Sequence, residues 1–329
     1  MNDAEIAALA DYAGEHLGRR VVWASVRRIT VGHSRAMFAL ESVEGDRLVA
    51  RIEQGGVFGT SGSEEFAVMH SLRAAGLPVA CVRWLEPTGT VIGRPFFMMD
   101  LVDGDPTVDE RELDVTTARA LIEALAQLHA LDGASPPVPF AHRPASPSAA
   151  THDQVERWRG VYRSESPVVV PLLEEAAAWL HRFAPPLERL SVVHGDAGPG
   201  NFIHQGGAVV ALTDFEFTHL GDPDEDWSYC VSMRGASTMP RQEWLALLET
   251  AGVRLDAERW DFWDAFNLFK GACANRTCLS VFEDGRNRSP NMAIIGTGLH
   301  LLFLRRLTEL TARPPGSDRV GPHAESGAT

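Results

Sequence analysis

The stretch Val192-Val193-His194-Gly195-Asp196-Ala197-Gly198-Pro199-Gly200-Asn201-Phe202-Ile203, with Leu212-Thr213-Asp214-Phe215-Glu216 shortly after it, decides how this chain is read. A β-run leads into a loop rich in Gly and Pro, with a carboxylate early in the loop and an amide five residues later. Loops at strand ends often carry catalytic groups, because a rigid scaffold positions them while solvent still reaches them. Phe202 to Gln205 and Ala208 to Thr213 flank Gly206-Gly207, which suits a two-residue hairpin turn. With the register centred on that turn, Asn201 is expected opposite about Leu212, and Asp214 a residue or two beyond the pair. The hairpin would then return Asp214 to the loop that holds Asp196 and Asn201.

Two acids and one amide at one end of a hairpin make an oxygen site for a hard cation, with one carboxylate to spare. Magnesium takes one or two protein oxygens and keeps its other positions for water and phosphate. Asn201 and Asp214 suit that role, leaving Asp196 to accept a proton from a substrate hydroxyl, as in kinase-type phosphoryl transfer. Taken singly, each residue reads more readily as part of an Asp-Gly turn or an Asn-capped loop. The joint spacing D-x4-N-x12-D around a glycine hairpin points to chemistry.

Working toward the N-terminus, Arg35 to Ser42 and Arg47 to Glu53 read as two strands joined by a turn at Gly45. Ser61 and Ser63 precede Glu64 and Glu65, with Phe66, Met69 and Leu72 on one helical face and Gly76 as a stop. Val79 to Trp84 and Arg94 to Val102 read as further strands. After Gly104 the pattern is mostly helical. Helices are expected around Leu121 to Leu128, Gln154 to Tyr162, Leu172 to Phe183, Gln242 to Ala251, Trp260 to Phe282 and Met292 to Thr311. The predicted organisation is a small antiparallel-sheet lobe with one embedded helix over 1–103, a larger helical lobe over 104–312, and a disordered tail over 313–329. The fold class is α+β.

The H-G-D-x-x-x-x-N run followed by D-F-E resembles the aminoglycoside phosphotransferase and choline kinase group, relatives of protein kinases that phosphorylate small-molecule hydroxyls. Within it, the sequence is most similar to the branch of kinase-like phosphotransferases associated with acyl-CoA dehydrogenases. Arg51 after Val49-Ala50, Ser63-Glu64-Glu65-Phe66, Pro95 to Asp100 leading to Gly104, Leu125-Ala126-Gln127-Leu128-His129, Arg157-Trp158 and Gly221-Asp222-Pro223 before Asp226 carry the likeness. The resemblance implies a two-lobed kinase-like fold using ATP or GTP with Mg2+. It implies Asp196 as the catalytic base, His194 as the residue orienting its loop, Asn201 and Asp214 as magnesium ligands, and Asp226 as a brace from behind. For the nucleotide it implies Arg51 paired with Glu65, Ser34 in the phosphate-covering loop, and a hinge from Met98 to Leu101, Met99 and Leu101 among it, reading adenine through the backbone. Glu65 has a lesser alternative as a first-turn carboxylate, and Asp226 an even one as a helix N-cap; His129 reads as a satisfied core histidine.

Two places depart from the group. The phosphate loop, Val31 to Arg35, has only one glycine, and the third-strand cation is Arg51 where lysine is usual. The chain has one lysine among its 30 basic residues, Lys270. A P-loop needs a lysine followed by Ser or Thr, and Gly271 follows here. A Schiff-base mechanism would also have to use Lys270, which sits in an apolar helical stretch and is expected to snorkel to solvent.

No A-P-E motif follows D-F-E, and Gly221-Asp222-Pro223 arrives too soon for a peptide-binding segment, so a small-molecule hydroxyl is the expected acceptor. Its pocket is expected around Thr151 to Arg182 and the C-terminal helices, where Asp261, Asp264 and Glu283 could meet amines or simply face solvent. A non-catalytic nucleotide-binding protein of the same fold is the rival; the presence of Asp196, Asn201 and Asp214 together argues against it. The net charge of −14 argues against nucleic acid as a partner. No apolar stretch is long enough to span a membrane, and four cysteines without C-x-x-C spacing read as reduced core residues. A soluble cytoplasmic protein is expected.

Overall fold

The computed structural model describes residues 2–29, 35–53, 58–106, 113–133, 136, 138–140, 142–166 and 168–317. Its first helix, α1 (Asp3–His16), is opened by a capping box between Asn2 and Glu5. Leu9 and Ala13 of α1 are fully buried against the sheet that follows.

That sheet has five strands in the order β1 (Trp23–Ile29), β2 (Arg35–Ser42), β3 (Arg47–Glu53), β5 (Phe96–Asp100), β4 (Val82–Glu86), all pairing antiparallel. The β2–β3 hairpin has the limits its sequence predicts, with Gly45 at φ +99° in the turn. β4 starts three residues later than expected, because Val79 pairs with Leu212 of a distant hairpin and Pro78 O accepts the Leu212 amide. Helix α2 (Gly62–Ala74) is capped by Ser61 and buries Glu65, Val68, Met69 and Leu72 against the sheet's other face. Gly76, at φ +87°, stops it.

Beyond the sheet lie α3 (Val115–His129), α4 (Pro147–Glu165) and α5 (Pro171–Phe183). They are followed by short strands β6 (Ser191–Val193), β7 (Phe202–Gln205), β8 (Ala208–Leu212) and β9 (His219–Gly221). Helices α6 (Asp224–Ser228), α7 (Arg241–Thr250), α8 (Ala257–Glu283), α9 (Pro290–Ile294) and α10 (His300–Thr311) complete the fold. α4 begins well before the predicted Gln154, since Ser146 caps it and Pro147 occupies the first turn, where a missing N–H costs nothing. The single helix expected from Met292 to Thr311 is interrupted by a widened turn over Ile295–Leu299. There Gly296 lies so close to α8 that an added Cβ would meet Leu279 Cβ at 2.5 Å.

α8 is the axis of the helical part. Phe262, Phe266 and Phe269 are buried against Trp158 and Tyr162 of α4 and Leu173 and Leu180 of α5, each such ring contributing on the order of 2 kcal/mol by burial. A second core runs unbroken from α2 (Val68, Met69, Leu72) through α3 (Leu121, Leu125, Leu128) to Phe202 and Leu212. The sheet is therefore packed firmly against the hairpin that carries the candidate site. All four cysteines are free, three of them buried. Among the described residues, no helix is long and apolar enough to cross a membrane.

Candidate active site

The loop from His194 to Asn201 leaves β6, which pairs with β9, and enters β7. Its backbone turns sharply at Gly195, at φ +81°, where a Cβ would stand 2.5 Å from Phe217 O. Asp226 of α6, fully buried, accepts the amides of His194 (2.7 Å) and Gly195 (2.9 Å) and the His129 Nε2–H (2.8 Å). Burial opposes its ionisation, but the His129 bond, the charge of His129 and the loop amides outweigh that and hold the carboxyl down at about 2. Asp226 thus grips the loop, and His129 reaches beyond core packing to Asp226.

Lys270 corrects a prediction. Its ammonium does not reach solvent. It is buried, donating to Gly195 O at 2.8 Å and to Glu225 Oε1 at 2.8 Å, with the Tyr229 ring 4.6 Å away. Glu225 and Asp226 are neighbours on α6, so one holds the Gly195 carbonyl through Lys270 while the other holds its amide. His194 is sealed as well. Its Nδ1 accepts the Asp196 amide at 3.3 Å, which places the ring proton on Nε2 for the 2.9 Å bond to Thr213 O. The imidazole joins the loop to the residue before Asp214.

Asn201 spends its amide nitrogen on Asp196, donating to Oδ2 at 2.6 Å and to the backbone oxygen at 2.8 Å. The predicted hairpin register is off by one. Ile203 pairs with Ala211 and His204 with Val209, so Val210 is a bulge and Phe202, not Asn201, faces Leu212. In consequence Asn201 O accepts the Thr213 amide at 3.0 Å, drawing Asn201 next to Asp214. Arg234, which the sequence reading did not single out, reaches Asp196 with Nη2 at 2.5 Å from Oδ2 and Nε at 3.3 Å from Oδ1.

Asp214 is the one described non-glycine residue with a left-handed backbone, at φ +65°, a conformation that costs on the order of 1–2 kcal/mol. That turn presents its carboxylate to Arg51 Nη2 at 2.5 Å. Burial raises the Asp214 pKa, but the Arg51 charge and hydrogen bond prevail and the group is held below its ordinary value. Arg51 also donates Nε–H to Glu65 Oε2 at 3.0 Å and sets Nη2 2.9 Å from Oε1. A second buried arginine, Arg35, places Nε 3.1 Å from Glu65 Oε2, without hydrogen-bond alignment, and 3.6 Å from Glu216 Oε2. Burial, then Asp214 and Glu65, push the Glu216 carboxyl up to about 7.

The remaining expected positions are mixed. Ser34 lies outside the described residues. Met99 pairs with Val49 and Val82 inside the sheet. Leu101 donates its amide to Arg47 O at 3.0 Å, which ties the end of the expected hinge to the sheet. Asp264 accepts the Ser228 hydroxyl, Asp261 the Gly316 amide, and Glu283 is exposed at the end of α8. Among the described residues no group of three or more His, Cys, Asp or Glu side chains could hold a metal.

Over residues 25–265 the sequence matches the model of the phosphotransferase enzyme family, and the chain belongs to that family. Acyl-CoA dehydrogenase family member 10 of Mus musculus is 29% identical over 185 residues, 54% of this chain and 17% of that protein. Acyl-CoA dehydrogenase family member 11 of Rattus norvegicus is 26% identical over 286 residues, 77% of this chain and 36% of that protein. The chain therefore spans well under half the length of these relatives. In fold it is similar to a Ralstonia eutropha chain assigned to the aminoglycoside phosphotransferases (TM-score 0.69, 22% identity, 93% of this chain and 98% of that one). A macrolide 2'-phosphotransferase of Brachybacterium faecium gives a TM-score of 0.59 at 20% identity, covering 88% and 98%. An aminoglycoside phosphotransferase in ternary complex with ADP and hygromycin B gives 0.62 at 14% identity, covering 91% and 98%. The kinase-like α+β fold expected from the sequence is the fold observed.

Proposed function

We propose that the protein is a small-molecule kinase that transfers the γ-phosphate of ATP, or of GTP, to an alcohol hydroxyl. The observation that supports this best is the chain of contacts at the hairpin end. Asn201 Nδ2 lies 2.6 Å from the Asp196 carboxylate, and Asn201 O accepts the amide next to Asp214 at 3.0 Å. A base and two oxygen donors are thus held as one unit.

Asp196 accepts the proton of the acceptor hydroxyl. The transition state of phosphoryl transfer is loose, so orientation of that carboxylate counts for more than its basicity. Asp226, Lys270 and His194 supply the orientation by fixing the loop's amides and carbonyls. Asn201 and Asp214 fit magnesium: with the Asn201 nitrogen spent on Asp196, its amide oxygen is what it can offer a cation, and Asp214 adds one anionic oxygen. When bound there, the ion neutralises charge on the nucleotide phosphates. Arg51, held by Glu65, steadies the nucleotide phosphates from the sheet side, and the hinge strand ending at Asp100, with Met99, borders the base.

The acceptor we favour is a hydroxylated acyl compound rather than an antibiotic, on the strength of sequence similarity to acyl-CoA dehydrogenase family members over 54–77% of this chain. The setting is the cytoplasm, in keeping with four unpaired thiols. A mass-spectrometric transfer screen against hydroxyacyl thioesters, aminoglycosides, macrolides and choline-like alcohols tests the reading. Asp196→Ala should lose turnover by orders of magnitude with nucleotide binding nearly intact, and unchanged turnover removes the mechanism.

A further inference from the structure

The His194 to Asn201 loop carries no arginine or lysine, and His194 is buried with both ring nitrogens engaged. Yet a phosphoryl group passing from nucleotide to acceptor develops charge on its equatorial oxygens between two carboxylates, Asp196 and Asp214. Beyond the magnesium that Asn201 and Asp214 would hold, any further cation for this passage has to come from outside the loop. Arg51 is committed on the nucleotide side, to Glu65 and Asp214.

Arg234 is the cation that reaches Asp196. It ends the short helical segment Tyr229–Arg234 and lies across the loop, bonded to both Asp196 oxygens and, at 3.4 Å, through Nη1 to Pro199 O. The loop is hollowed to receive it: Gly198 sits at φ +139°, and a Cβ there would meet Arg234 Cβ at 2.8 Å. Its side chain keeps 26% of its surface exposed, against 7% for Arg51 and 4% for Arg35, so an incoming group can reach it. A guanidinium has five donors in a planar fork. Nε can remain on Asp196 while the outer nitrogens turn to phosphoryl oxygens.

We propose that Arg234 is a catalytic residue that contacts the phosphoryl group in flight, an arginine finger supplied by the same chain; this rests on the kinase reading above. In the step it serves, the acceptor oxygen bonds to the γ-phosphorus as that phosphorus parts from the β–γ bridging oxygen. The hydroxyl proton passes to Asp196, and the nucleoside diphosphate leaves with the electron pair of the broken bond.

The test uses the full chain as wild type, Arg234→Ala, Arg234→Lys and Asp196→Asn, each first checked for an unchanged thermal midpoint. Calorimetry measures MgATP affinity, and then MgADP affinity with and without aluminium fluoride, which mimics the transferring group. ADP release to water or to an acceptor is followed in parallel. Arg234→Ala should bind MgATP within about threefold of wild type, lose turnover on the order of 10³-fold, and lose the extra tightness that aluminium fluoride confers. Arg234→Lys should fall between, and millimolar guanidine should restore part of the alanine variant's turnover. Turnover that is unchanged or raised in Arg234→Ala while Asp196→Asn is inactive overturns the proposal alone; a rise would mean that Arg234 merely masks the base. Full turnover in Asp196→Asn, or a wild type that neither binds MgATP nor releases ADP, overturns the kinase reading and this proposal with it.

Discussion

Replacing Asp226 by asparagine tests how the loop is held, since it alters charge and donor pattern at nearly constant volume. Asp226 accepts hydrogen bonds from the His194 and Gly195 amides and from His129. An amide keeps one acceptor oxygen and turns an NH2 group toward at least one of those donors. The loss of a charge-assisted bond costs about 1.5–3 kcal/mol and each stranded buried donor about 1–3 kcal/mol, so about 3–5 kcal/mol is expected in all. The depressed pKa gives a lower figure on its own account: a carboxyl brought from 3.8 to about 2 corresponds to about 2 kcal/mol. Because the folded-state value lies below the unfolded one, this contribution is whole above about pH 4 and drains away as the pH falls through about 2. Urea unfolding of wild type and Asp226→Asn at pH 7 and pH 3 reads both quantities. The gap should be about 3–5 kcal/mol at neutral pH and narrower by about 1 kcal/mol at pH 3. A neutral-pH gap under about 1 kcal/mol, or one indifferent to pH, refutes the reasoning.

Three further outcomes are expected. Lys270→Met leaves Glu225 buried without its cation and should cost about 3–5 kcal/mol by urea unfolding, part of it regained in the double variant with Glu225→Gln. Gly195→Ala must hold φ +81° with a Cβ 2.5 Å from Phe217 O, and its thermal midpoint should drop by several degrees, with turnover falling as the loop shifts. Arg51→Ala should weaken MgATP binding by about tenfold or more in calorimetry, while Arg51→Lys recovers part of it. Unaltered affinity in the alanine variant would mean that the nucleotide does not lie against this strand.

Local signals made much of the fold legible. Gly45 and Gly206-Gly207 announced their hairpins, Ser61 the start of α2, and Gly76 its end, because each is a residue whose own chemistry fixes the backbone beside it. The register of β7 on β8 was not legible, since the bulge at Val210 is set by packing and no turn residue marks it. The acids of the site could be read from spacing within one hairpin. Its cations could not, because Lys270 and Arg234 reach the loop from 75 and 38 residues away in sequence. Lys270 in particular lies in an apolar helical stretch that suits a snorkelling side chain, yet Glu225 and a backbone carbonyl hold its ammonium inside. The partner was hidden in Asp224-Glu225-Asp226, an acidic run that looks like an ordinary helix start.

A chain whose one lysine is sealed behind the His194 to Asn201 loop offers amine-directed reagents no lysine at its surface while folded. Acylation of the native chain should therefore leave its one lysine unmodified. Lys270 becomes reactive only when Gly195 and Glu225 let go. Its slow acylation is therefore a built-in clock for opening of the loop, and mass spectrometry could follow how ligands slow that clock.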